Sequence, residues 1–145
     1  MLSFSRCCLV AVFFSFIIDP SYGKQPHSTC QDMLYEDHNQ VDYTVHVSSV
    51  SGIAKDIQGF EVRGTCAGIF TEDGKKLMAA QETNVDGHFE FNDLPNGRYR
   101  LVVSANGWCV ANAVIILKNK SRRGKRLVAI MKPRGIDDCS SIQLM

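Results

Sequence analysis

The chain has 145 residues, 16 Lys and Arg against 15 Asp and Glu, a formal net charge of +1 and 45% apolar residues. Near-neutral charge excludes a global pull toward nucleic acid or an anionic membrane, and the length excludes two domains of ordinary size.

From the N-terminus, Arg6 precedes a twelve-residue, almost wholly apolar run from Cys7 to Ile18, which Asp19-Pro20 breaks. Small residues at Ser21 and Gly23 suit signal-peptidase cleavage after Gly23, and the run is too short to span a bilayer comfortably. Residues 1–23 are therefore expected to be a signal peptide, and the mature chain to carry no membrane span. The protein is expected to be secreted or extracytoplasmic, periplasmic in a two-membrane bacterium.

Residues 24–44 are polar with little periodicity and read as an irregular lead-in held by Cys30. Val41 to Val50 then alternates, with Val41, Tyr43, Val45 and Val47 on one face, and reads as a strand of about seven residues. Gly52 to Asp56 is a further short strand, and Glu61 to Phe70 an extended segment. Asp73-Gly74 turns the chain into Leu77 to Thr83. From Thr83 to Trp108 the dipeptides Asp86-Gly87, Asn96-Gly97 and Asn106-Gly107 recur about every ten residues, as in a meander of antiparallel strands. Between them Phe89 and Phe91, then Tyr99, Leu101 and Val103, share one face, with Arg98, Arg100 and Ser104 on the other.

The run Asp86-Gly87-His88-Phe89-Glu90-Phe91, then Leu94-Pro95-Asn96-Gly97-Arg98-Tyr99-Arg100-Leu101, then Val103-Ser104-Ala105-Asn106-Gly107-Trp108, resembles the D-G-x-F-x-F, L-P-x-G-x-Y-x-L, V-x-A-x-G-(aromatic) pattern of carboxypeptidase regulatory-like domains. These are transthyretin-like, or prealbumin-like, modules of the carbohydrate-binding-like β-sandwich fold. The resemblance implies an accessory module with no catalytic residues to carry over. Cys109 to Leu117 and Leu127 to Met131 follow as apolar strands, expected to pair as a hairpin. The expected fold is thus all-β, a single antiparallel sandwich of seven or eight strands. It spans residues 45–134, with 135–145 as a tail.

Four cysteines remain after cleavage, and three connectivities are open to them. Cys109 would lie at the open end of that hairpin, near the tail, so the expected pairs are Cys109 with Cys139 and Cys30 with Cys66. No C-x-x-C occurs, and the four histidines lack zinc-ligand spacing, so neither metal nor cofactor is expected.

Two regions are candidates for binding. Lys118, Lys120, Arg122, Arg123, Lys125 and Arg126 put six cations into nine residues, a candidate loop for anionic polymers. No aromatic residue is interleaved for stacking on bases, so nucleic acid is not expected, and the first reading is a solvated hairpin tip. Trp108, the only tryptophan, could stack on a sugar ring with Tyr99, Asn106 and Asn112 nearby, or pack on the end of the sandwich. No G-x-S-x-G, H-E-x-x-H or P-loop is present. A hydrolase of the transthyretin-like fold remains as a third reading, against which the chain ends Ser140-Ser141-Ile142-Gln143-Leu144-Met145 instead of the Tyr-Arg-Gly-Ser tail of those enzymes. The expected function is therefore non-enzymatic: an accessory or structural module contacting a protein or glycan at the cell surface.

Overall fold

Apolar side chains recur along the extended segments, alternating with polar ones in some and continuous in others, and the computed structural model buries most of them between two sheets. It describes residues 30–35, 43–118, 125–135 and 141–145. Within these, α1 (Cys30–Leu34) is followed by β1 (Thr44–Val47), β2 (Val50–Asp56), β3 (Cys66–Thr71), β4 (Leu77–Glu82) and β5 (His88–Phe91). Then come β6 (Gly97–Ser104), β7 (Ala111–Leu117), β8 (Leu127–Met131) and β9 (Ser141–Leu144). One sheet has the order β1-β7-β6-β3-β4 and the other β5-β2-β8-β9. The core lies between them: Ile69, Leu101 and Ile115 come from the first sheet, and Phe89, Leu127 and Met131 from the second.

The sandwich is all-β, as expected, but has nine strands among the described residues, and two of its pairings are parallel. β1 runs parallel to β7 and β2 parallel to β8. The reason lies at Ser48-Ser49, where the chain bends and passes from one sheet to the other. Val45 and Val47 are buried in the first sheet and Val50 in the second, so the apolar positions change parity from odd to even. The first expected strand therefore ends at Val47, and Val50 joins the second, which serves the opposite sheet.

The turn dipeptides divide in the same way. Asn106-Gly107 joins sheet neighbours β6 and β7, whereas Asp86-Gly87 and Asn96-Gly97 carry the chain between sheets. The expected hairpin of β7 with β8 does not form, because β6 and β1 already occupy both edges of β7; β8 lies between β2 and β9 instead. The segment taken as a tail supplies β9, which pairs antiparallel to β8 and buries Ile142.

The expected irregular lead-in contains α1, which covers the outer face of the five-stranded sheet. Leu34, Cys66, Phe70 and Val102 form a second buried cluster there, so Val102 and Ser104 are buried on the face of β6 expected to be polar. Leu34 fits where Gly68 has no side chain: a Cβ on Gly68 would lie 2.5 Å from Leu34 Cδ1. A helix of five residues is too short to persist on its own hydrogen bonds. The Cys30–Cys66 disulfide, with Cα atoms 5.4 Å apart, ties it to the start of β3. The Tyr35 ring meets Phe70 edge-on at 5.6 Å.

Candidate functional site

Strand directions sort the loops to two ends of the sandwich. The end that carries the β7–β8 connection is charged. Lys118, Lys125 and Arg126 are exposed there, while Lys120, Arg122 and Arg123 lie outside the described residues, as do Asn119, Ser121 and Gly124. Because β7 and β8 belong to different sheets, this basic segment is a crossing between sheets and not a hairpin tip. The β3–β4 turn lies at the same end, and Arg98 donates to Glu72 at 2.7 Å beside it. In that turn the Thr71 hydroxyl and the Lys75 N–H donate to Asp73, which holds its carboxyl below the usual carboxylate range; the charges of Lys75 and Arg100 add to this.

The four residues considered around Trp108 are not brought together. Tyr99 is buried, and its hydroxyl donates to the Pro95 carbonyl at 2.7 Å, at the opposite end of β6 from Trp108. Asn112 sits opposite Val102, and Val102 belongs to the cluster under α1 on the outer face. Trp108 is half-buried against the main core and bridges to Pro133, with its carbonyl accepting from Arg134 Nε at 3.1 Å. Of the other three, Asn106 alone is exposed beside it, and the ring packs on the end of the sandwich. Cys109 is buried there too, its N–H donating to the Lys132 carbonyl; Cys139 lies outside the described residues.

At this second end the sequence repeats a loop. Asp56-Ile57-Gln58-Gly59-Phe60 and Asn84-Val85-Asp86-Gly87-His88 share the order Asx, apolar, polar, Gly, ring. In each, the first side chain accepts from two backbone N–H groups through Oδ1: Asp56 from Gln58 and Phe60 at 2.8 and 2.9 Å, Asn84 from Asp86 and His88 at 3.0 and 2.9 Å. The glycine N–H closes back on the carbonyl of the first residue, at 3.0 Å for Gly59 and 2.9 Å for Gly87. Both glycines hold positive φ, 90° and 74°, where an L side chain would be strained. The loops are adjacent, since Ala54 donates to the Gly87 carbonyl while Asp56 donates to that of Phe60. Their apolar residues face solvent: Ile57 is 61% exposed, Phe60 64% and Val85 79%. Sequence reasoning treated these segments only as turns; the signal that would have found them is the repeated five-residue order.

The second loop also borders a cleft of about 590 Å³. Gln81 and Glu82 reach it from β4, His88 and Glu90 from β5, Asn84 from the turn between them, and Arg126 from just before β8. Pairing explains the convergence: Glu90 is opposite Ser51, and Gly52 is opposite Leu127, so Glu90, Ser51 and Arg126 form a row across three strands. His88 and Glu90 flank buried Phe89 and so point away from the core. Among the described residues there is no group of three or more His, Cys, Asp or Glu that could hold a metal ion. No described helix is long and apolar enough to cross a membrane.

Fold and loops together define an all-β sandwich with a short disulfide-tethered helix, and no protein-family model matches the chain. The pyrogallol hydroxytransferase small subunit of Pelobacter acidigallici is similar to it, 36% identical over 61 residues. That stretch is 40% of this chain and 22% of the relative, so the likeness extends over about a fifth of the curated protein.

Proposed function

We propose that this chain is a secreted, non-enzymatic accessory module of the carboxypeptidase regulatory-like, transthyretin-like type, which docks on a protein partner through the paired loop tips. The observation that carries this reading is the exposure of Ile57, Phe60 and Val85 on two turns whose backbones are already fixed by Asp56 and Asn84. Large apolar groups held rigid lose little entropy when a partner covers them, which favours binding. A disulfide at Cys30–Cys66 suits an extracytoplasmic site of action. The likeness to part of a protein named as a small subunit supports a module that accompanies other chains.

A photo-crosslinking residue placed at Val85, and separately at Lys75 in the opposite end, tests the proposal in the native secreted setting. Crosslinks to a discrete protein are expected from position 85 and not from 75, and Ile57→Ser with Phe60→Ser should remove them without lowering the melting temperature. Equal yields from both positions, or none from position 85, would exclude docking through this end.

A further inference from the structure

The two repeated loops need the same service from their first residue, an oxygen that accepts from two backbone N–H groups. Asp56 supplies it with a carboxylate and Asn84 with a carboxamide. For that task alone the carboxylate is the stronger acceptor, because bonds to an ionised oxygen are the stronger ones. Asn84 supplies one thing more: with Oδ1 engaged twice, the orientation of its amide is fixed, and both hydrogens of Nδ2 remain available as donors. The loop with the carboxylate stands at the solvent-exposed tip of Ile57 and Phe60, with nothing within 4 Å of where a Gly59 Cβ would be. The loop with the carboxamide lines the cleft.

The remaining walls have a common chemistry. Gln81, Glu82, Glu90 and Arg126 end in planar groups with two or more polar atoms side by side, and His88 adds an imidazole. Such groups match neighbouring hydroxyls on a ring, accepting from two at once or donating to two at once. The charges are mixed, two carboxylates against one guanidinium, so the cleft offers no strong field to select an ion. Its volume of about 590 Å³ is within the range of small-molecule sites, about 300–1,000 Å³. We infer that the cleft between β4, β5 and the start of β8 binds a neutral, polyhydroxylated ring, a saccharide unit, with Asn84 as its fixed donor. This site is separate from Trp108 and does not depend on docking through the apolar tips.

The full chain, secreted and oxidised, should bind neutral glycans on an array at low and at high salt, and the best free oligosaccharide should shift amide resonances of residues 81–90, 51, 52 and 126. Asn84→Asp keeps the oxygen that holds the turn, as Asp56 does in the other loop, but exchanges the donor for an acceptor and adds a negative charge beside Glu82 and Glu90. It should weaken binding about tenfold, the effect of one lost hydrogen bond, and leave the melting temperature unchanged. Glu90→Gln and Arg126→Ala, both at exposed positions, should also weaken it, and Ile57→Ser should not. Absence of neutral-glycan binding would overturn the inference. So would binding that Asn84→Asp leaves intact, or binding confined to anionic glycans and lost at high salt, which would belong to the basic crossing segment.

Discussion

The sandwich has two apolar clusters on either side of one sheet, and they are held by different means. Between the sheets, Leu101, Ile69 and Ile115 are fully buried and backed by residues from all four strands of the facing sheet. On the outer face, Leu34, Cys66, Phe70 and Val102 are equally buried, yet their cover is a five-residue helix. The first cluster is closed by strands that hydrogen-bond one another whether or not a given side chain packs well. The second is closed by a segment that packing alone would hold weakly, so a covalent bond takes over where cooperative hydrogen bonding ends. Similar burial therefore hides different robustness.

Three variants set that difference against measurement. Leu101→Ala, in the centre of β6, should cost about 3 kcal/mol through lost transfer energy and the cavity left behind, seen as a lower urea midpoint for the whole domain. A cost under about 1 kcal/mol would mean that the inner core is no tighter than the outer one. Replacing Cys30 and Cys66 together by serine should cost about 2–4 kcal/mol. Hydrogen exchange should show where: protection is expected to vanish over α1 and fall along β3, while β7, far from the tether, keeps its own. Uniform loss across both sheets would contradict a separate outer cluster. Gly68→Ala should have the smallest effect, about 1 kcal/mol, because the new Cβ displaces the end of the Leu34 side chain and not backbone. In a chain that already carries Leu34→Ala most of that cost should disappear, leaving the tight contact with Leu77 Cδ1 at 3.2 Å, and an undiminished penalty would place the strain inside the sheet.

Alternation marked β1 and β5, where one face is in the core, whereas β7 and β8 were legible as apolar runs between turns. Partners were less legible. A glycine turn fixes how sharply the chain reverses and not which sheet it re-joins, so Asp86-Gly87 reads like Asn106-Gly107 although the first crosses between sheets. α1 is too short to show a helical period, and the Ser141-Ile142-Gln143-Leu144 alternation is too brief to separate β9 from a tail. The cleft was the least visible feature. Its walls come from residues as far apart in sequence as Ser51 and Arg126, and nothing local marks them as neighbours. The repeated Asx-apolar-polar-Gly order could have been read directly, and its asymmetry between Asp56 and Asn84 gains meaning only beside the cleft.

The parallel pairing of β2 with β8 also fixes a schedule. Gly52 must wait for Leu127, about 75 residues later, before the four-stranded sheet has its centre. By Leu117 a growing chain has made every strand of the five-stranded sheet, and both cysteines of the tether, but it has only β2 and β5 to lay against them. The part of the inner core that Leu127, Ala129, Met131 and Ile142 close therefore stays bare until β8 and β9 have left the ribosome. Such distant pairing folds slowly. A chain of this order leaves synthesis with one sheet complete and the other still waiting for its central strand.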